Sequence, residues 1–470
     1  MNPELLDEWV CRATCSYYKP DRTEQERCQG YALVSLLAAR GLFAANSVSR
    51  VAFDPSFRES LLRQHVCEAC PFLVDGCDFV SQDPPEDCLP CGGLIVLSAL
   101  LGEGIVHEED VRGADLFARH RNDYLRLTAD CSIKRLERDF LYHVGRDELY
   151  EINEEALQML LKCDGSLTTR DLGPDPGFLD FCVREHLLEF HRTPFSIELH
   201  PGTAPLPSLR YLEWLVTDRC NLSCAHCYLG DAGHADFPVE LIRPLLEELT
   251  RMQGLRILVS GGEPTLYRHF DVLNELVRQF PVRAVLLTNG VTLDDHLASR
   301  LNFHEVQISL DGMEMGHDAI RGKGAFARAV RAMKAVRNVG LDLSVATMIH
   351  KRNLEEWPQM SDLIMEMGAR EWNVDYPCKK GRWEAHPELA VDPETAAEKM
   401  RFGFGGSYHG TSAGWTCGRH LVAVLPTGDI VRCGLYPDRR CGSVSEGLAR
   451  AWARVEHIPI GHTKCALCSK

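Results

Sequence analysis

Between residues 211 and 376 six apolar, β-rich runs recur: "YLEWLV", "LRILVS", "PVRAVLLT", "EVQISL", "LDLSVATMI" and "EWNVDY". An amphipathic or charged stretch follows each. Strand alternating with helix calls for parallel strands, because parallel neighbours need a crossover and not a tight turn. The expected fold class is therefore α/β, an open layer or a barrel, with its chemistry at the carboxyl ends of the strands. The polar residues fall at those ends. "DRCNLSCAHCYL" follows the first run, "GGEP" (261–264) the second, "TNG" (288–290) the third and "SLDG" (309–312) the fourth, an order that predicts one shared site. "VDYPC" closes the last run and sets Asp375 and Cys378 at the mouth of that site, where either could take a proton; a strand-end turn is the plainer reading of both.

A chain of 470 residues exceeds one ordinary core, so several units are expected. The stretch "HPGTAPLPS" (200–208) breaks helices and reads as a boundary. Residues 1–120 then form a Cys-rich domain, 121–199 a small winged-helix-sized domain, 208–385 the α/β core and 400–470 a carboxyl-terminal domain. The start lacks the basic region of a signal peptide, and "GGLIVLSALLG" falls short of the roughly 20 residues that span a bilayer. A cytoplasmic protein with no membrane partner is expected. Its net charge of −16 offers no overall basic field for a phosphate backbone, so nucleic acid is not an expected partner. Twenty cysteines in so long a chain point to metal or cluster ligation and not to a disulfide scaffold.

Cys220, Cys224 and Cys227 share one loop without a fourth cysteine. Two readings fit. His226 completes a tetrahedral Cys3His zinc site, or three thiolates hold a [4Fe-4S] cluster and leave one iron open.

The C-x3-C-x2-C spacing with tyrosine after the last cysteine, and "GGEP" at the end of the next strand, resemble the signature of the radical S-adenosylmethionine (SAM) superfamily. The resemblance implies a partial (β/α)6 TIM-like barrel and a catalytic [4Fe-4S] cluster on Cys220, Cys224 and Cys227. It also implies an electron donor such as flavodoxin or ferredoxin. SAM would chelate the open iron and be cleaved reductively to a 5′-deoxyadenosyl radical that abstracts a substrate hydrogen. Gly261, Gly262 and Glu263 are implied to position SAM, with backbone carbonyls and Glu263 meeting its ammonium. Asn289, Ser309 and Asp311 are implied to approach its ribose and methionine parts, and Tyr228 its adenine; turn and strand-end capping is an equal reading of the first three, and core packing the alternative for Tyr228.

"CGRHLVAVLPTGDIVRC" (417–433) reads as a β-hairpin that brings Cys417 and Cys433 together, and "TKCALCSK" adds Cys465 and Cys468. Four thiols close a cluster or a zinc site. The layout, with Gly428 five residues before Cys433, resembles the twitch extension, the shorter relative of the SPASM domain. That implies one fully ligated auxiliary [4Fe-4S] cluster in a β-hairpin-plus-helix domain. Cys441 reads as a spare thiol. At the other end Cys11, Cys15, Cys28, Cys67, Cys70, Cys77, Cys88 and Cys91 form a third group, for which zinc and a further Fe–S cluster both stay open in a helical domain.

In the middle, "DELYEIN" alternates as a strand, Asn153 caps a helix bearing Leu157, Leu160 and Leu161, and Gly165 is expected to end it. Phe178, Phe181, Cys182 and Leu188 read as the face of a second helix. This pattern resembles the small peptide-binding domain of pyrroloquinoline quinone biosynthesis, generalised as the RiPP recognition element (PqqD-like), where a leader peptide adds as a strand. The leading expectation is a radical SAM enzyme that oxidises or crosslinks a ribosomally made peptide. The alternatives are a radical SAM dehydrogenase of a small metabolite, with the middle domain as a spacer or dimer contact, and a metal- or redox-sensing winged-helix regulator.

Overall fold

The computed structural model describes residues 6–12, 14, 28–39, 41–44, 61–68, 70, 90–172, 176–199, 202–231, 233–377, 380–405 and 419–455. Its strands, in chain order, are β1 (Tyr124–Leu127), β2 (Cys131–Arg135), β3 (Asp139–His143), β4 (Glu148–Glu151), β5 (Asp164–Thr168) and β6 (Leu188–His191). There follow β7 (Tyr211–Thr217), β8 (Arg256–Gly261), β9 (Arg283–Thr288), β10 (Glu305–Ser309), β11 (Asp342–Met348) and β12 (Glu371–Asp375). The last three are β13 (Leu421–Val424), β14 (Asp429–Val431) and β15 (Arg440–Ser443). Contacts divide the chain into two compact units, one of Met1–Ala129 with Asn153–His200, the other of Asp130–Ile152 with Pro201–Lys470.

In the first unit the helices Gln29–Ala39 and Gly92–Gly102 pack around Leu33, Val34, Leu37, Val96, Leu97 and Leu100, all fully buried. They meet at glycines: a Cβ on Gly93 would lie 2.2 Å from the Gly30 carbonyl carbon. The antiparallel sheet β5-β1-β6 belongs to the same unit. Asn153 caps the helix Glu154–Leu161 by accepting from the Ala156 N–H at 2.8 Å. Gly165 is not that helix's stop. It sits within β5 at φ +85°, where a Cβ would lie 2.3 Å from the Phe195 carbonyl, so glycine serves a close backbone approach. The helix Pro176–Arg184 buries Leu179 and Cys182 but exposes Phe181, and Leu188 belongs to β6.

In the second unit β7 to β12 are parallel and lie in sequence order, so every expected run is a strand. Leu212, Trp214, Val216, Ile257 and Val259 face the crossover helices. Ile242–Arg251 answers with Ile242, Leu245, Leu246 and Leu249, whose spacing makes one stripe. Each such side chain contributes about 1.5–3 kcal/mol by leaving water. Alternate residues such as Leu258, Ser260, Leu287, Gln307, Ala346 and Asn373 are only half-buried, so the opposite face borders open space.

The outer edge of β7 pairs in parallel with β13, and β13-β14-β15 continue the same sheet antiparallel. The hairpin is where its sequence placed it, but the described part of 400–470 extends the α/β sheet and covers an otherwise open edge.

Residues 121–199, read from sequence as one domain, divide between the two units, because the antiparallel meander β2-β3-β4 groups with the α/β sheet. Strands β8 to β12 each begin with a charged residue: Arg256, Arg283, Glu305, Asp342 and Glu371. These charges, all buried but Asp342, meet one another and the β3–β4 turn. Arg256 pairs with Asp147, and Arg283 pairs with Glu305 and Asp342 while donating to Val144 O at 3.1 Å and Gly145 O at 2.6 Å. Lys134 is fully buried and donates to Gly254 O (2.9 Å) and Pro281 O (2.8 Å). The stretch read as a linker is held too: Ala204 N donates to Arg135 O, and Glu137 accepts from Ser208 and Arg210.

Candidate functional site

The cysteine loop leaves β7 at Thr217 and returns beneath the end of β8. Gly262 N donates to Thr217 O at 2.8 Å and Glu263 N to Arg219 O at 2.7 Å. Both glycines are required here. A Cβ on Gly261 (φ +143°) would lie 2.2 Å from Thr217 O, and one on Gly262 2.3 Å from Arg219 O. The backbone that these glycines let in is therefore the chain's own cysteine loop.

Glu263 is completely buried, and burial raises its pKa. Its Oε1 accepts from the Thr265 and Thr288 hydroxyls, each at 2.7 Å, and its Oε2 from Asn289 N at 2.9 Å, which ties the ends of β8 and β9 together. Oε2 keeps capacity for one further donor. Asn289 in turn donates to Asn221 Oδ1 at 2.8 Å and reaches Cys220 Sγ at 3.8 Å. "GGEP", "TNG" and the cysteine loop thus meet as their order predicts. Ser309 stands half-buried at the end of β10.

Asp311, expected to approach SAM itself, is instead enclosed. Arg321 pairs with its Oδ2, Met348 N donates to Oδ1 at 2.8 Å, and its carbonyl accepts from Asn353 at 2.9 Å, with His350 Nε2 at 2.8 Å. Burial alone would raise its carboxyl, but Arg321, His226 and His317 hold it well below the usual carboxylate range. Arg321 is the residue that sequence reasoning missed; the only signal was its position at the end of the helix after "SLDG". Its Nη2 lies 3.4 Å from His226 Nε2. The same Nε2 lies 3.7 Å from Asp311 Oδ2, and Nδ1 is a buried atom with no hydrogen-bond partner among the described residues. Burial lowers His226 to about 4, which keeps the ring neutral.

Cys220 is exposed, Cys227 half-buried and Cys224 buried. Burial pushes the Cys224 thiol up to about 11, opposed by Arg321 and reinforced by Asp311, Cys220 and Cys227. Burial also raises Cys220. Three cysteines gathered in one loop, two of them held as thiols by burial, suit a cationic iron group, which would supply the positive charge that favours their thiolates. Among the described residues no three His, Cys, Asp or Glu side chains are grouped as ligands of a single metal ion. A cubane asks for a wider spacing, since each thiolate takes a different iron. His226, the alternative zinc ligand, is turned to Arg321 and Asp311.

Tyr228 is largely enclosed, and burial, then Glu213, Cys227 and Cys433, raise it well above its usual value. Cys433 therefore lies within electrostatic reach of the tyrosine that follows Cys227. Glu213 accepts from Gly434 N at 3.3 Å, and a Cβ on Gly434 would lie 2.8 Å from the Glu213 carboxylate. The 380–385 turn closes over the loop: Gly381 (φ +61°) would bring a Cβ within 2.4 Å of Cys227 O, and Arg382 N donates to that same oxygen at 3.0 Å. Asp375, at the end of β12, is exposed to solvent, and desolvation by the protein atoms around it raises its pKa.

Cys15, Cys77, Cys88, Cys378, Cys417, Cys465 and Cys468 lie outside the described residues. Cys11, Cys67 and Cys91 pack on the core of the first unit, and Cys28 Sγ accepts from Tyr31 N at 3.4 Å.

Residues 214–364, which run from β7 through the helix before β12, match the model of the Radical SAM superfamily. Mycofactocin maturase MftC of Mycobacterium ulcerans is 32% identical over 251 residues, 47% of this chain and 67% of that protein. The chain belongs to the radical SAM superfamily. MftC of Mycolicibacterium smegmatis is 35% identical over 167 residues, 34% of this chain and 42% of that protein. Fe-coproporphyrin III synthase of Methanosarcina barkeri is 35% identical over 161 residues, 33% of this chain and 40% of that protein. The chain thus spans about two fifths of the length of these two relatives. Streptococcus suis SuiB bound to precursor peptide SuiA shares the fold at a TM-score of 0.51 and 13% identity, over 70% of this chain and 88% of that one. Family membership carries SAM and a [4Fe-4S] cluster with it, and the residues described above fit that pair.

Proposed function

We propose that this radical SAM enzyme modifies a ribosomally made peptide, oxidising or crosslinking it at an unactivated C–H. When bound, the cluster and SAM supply a one-electron reductive cleavage whose radical product takes a hydrogen atom from substrate. Cys220, Cys224 and Cys227 hold the cluster. Gly261 and Gly262 bring the β8 end against their loop, and Glu263 orders that end with Asn289 and offers Oε2 to a ligand ammonium. Ser309 and Asn289 border the SAM side, with Tyr228 beside Cys227. Asp375 takes the proton released after hydrogen abstraction, with Cys378 as the other candidate. Cys433, with Cys417, Cys465 and Cys468, holds an auxiliary [4Fe-4S] cluster that passes electrons. The amino-terminal cysteines hold a further metal, zinc or iron.

The observation that carries the peptide reading is strand β4. Among the described residues it pairs with β3 and with no second strand, the position at which an extended peptide adds to a sheet. A name ending in maturase among the 32–35% identical relatives, and the precursor peptide bound to SuiB, support it. The synthase relative favours a second reading, a small tetrapyrrole-like metabolite. The test is anaerobic turnover of the full chain with reductant, SAM and the peptide encoded by a neighbouring short reading frame. Loss of hydrogen from that peptide, with 5′-deoxyadenosine formed, is the expected result. 5′-Deoxyadenosine without any change in the peptide would overturn the peptide reading, and no 5′-deoxyadenosine at all would favour the regulator.

A further inference from the structure

We propose that the buried Arg321–Asp311 pair sets the reduction potential of the group held by Cys220, Cys224 and Cys227, Arg321 raising it and Asp311 moderating that rise. The inference rests on the reading of the trio as a cluster site. Its basis is the contact between the helix Glu314–Arg321 and the cysteine loop. Ala225 N, between two of the cysteines, donates to Ile320 O at 2.8 Å, and Ile320 packs with Ala225, Trp383 and Leu389. Arg321 follows directly and reaches His226 in the same loop. The last turn of this helix therefore docks beneath the loop and delivers a cation there.

Arg321's side chain is only 11% exposed and Asp311's is fully buried, so neither charge is screened by water. Of the charges acting on Cys224, Arg321 is the strongest and Asp311 the next, with opposite sign; Arg321 also interacts with Cys220. The potentials of Fe–S groups follow local net charge and solvent exposure, so an electron enters more easily beside an added cation. Asp311 is itself fixed from three directions, by Met348 N, His350 and Asn353, which holds the pair as a rigid dipole and not as a mobile surface bridge. Arg321 is a positioning and charge residue here, acting through the cluster ligands.

The test is potentiometric titration, by electron paramagnetic resonance, of the anaerobically reconstituted full chain. It follows the signal that a variant with Cys220, Cys224 and Cys227 changed to alanine lacks. Arg321→Gln is expected to lower the midpoint and Asp311→Asn to raise it. Arg321→Lys and the double variant Arg321→Gln/Asp311→Asn, which both conserve net charge, should stay near the native value. Single variants that move together, or not at all, would overturn the proposal. So would loss of iron from every variant, which would make the pair a scaffold only. If the unaltered protein shows no signal that depends on the trio, the cluster reading itself has failed, a different outcome from an unshifted but present signal.

Discussion

Gly262 shows what sequence reading anticipated at the scale of one residue and what it could not. The pairing of glycines announced a close backbone approach, but that the approach is to Arg219 of the cysteine loop emerges only when β7 and β8 are side by side. Gly262→Ala should cost about 1–3 kcal/mol of local overpacking and strip iron from the trio, read by metal analysis of the purified variant. The motif that holds Asp311 was legible, but its carboxylate pairs with Arg321, which carries no motif of its own. Asp375 is the candidate whose titration sets a pH dependence. A general base acts deprotonated, and desolvation raises this carboxyl, so product formation should fall as pH drops through a value above the ordinary carboxylate range. Asp375→Asn should slow product formation by on the order of 10² to 10⁴ and erase that acid limb, while 5′-deoxyadenosine still forms.

At the scale of elements, the six parallel strands were legible because a run of β-branched and apolar residues followed by an amphipathic helix has few other solutions. Of the meander β2-β3-β4 only β4 was legible as a strand, and its place in the α/β unit was not, since the anchoring uses scattered charges at the first positions of β8 to β12. Lys134 reports on that anchoring. Burial lowers its pKa to about 7 against an ordinary 10.5, so between those values the unfolded chain binds more protons than the folded one. Stability of this unit should therefore rise with pH from about 7 toward 10, and Lys134→Met should flatten the slope, as seen in denaturant midpoints across that range. Arg283→Leu leaves Glu305 buried without its main partner and should cost about 3–5 kcal/mol by the same measurement.

For the whole molecule, the account joins a radical SAM core, in which the cysteine loop and the ends of β8 and β9 meet, to cysteine groups at both ends of the chain. No described helix is long and apolar enough to cross a membrane. The domain plan was less legible than the core, because a hairpin pattern announces strands without saying which sheet they join: β13 pairs with the edge of β7 and β14 with β13, while Thr203 bridges to Arg135 of β2 and Ser208 is bonded to Glu137 and Arg210. The most direct measurement is iron, sulfide and zinc content of the anaerobically purified full chain against the variant with Cys220, Cys224 and Cys227 changed to alanine. The account predicts a loss of about four irons, from about eight to about four if zinc fills the amino-terminal site, or from about twelve to about eight if a cluster does. Iron content unchanged by removing the trio would contradict it.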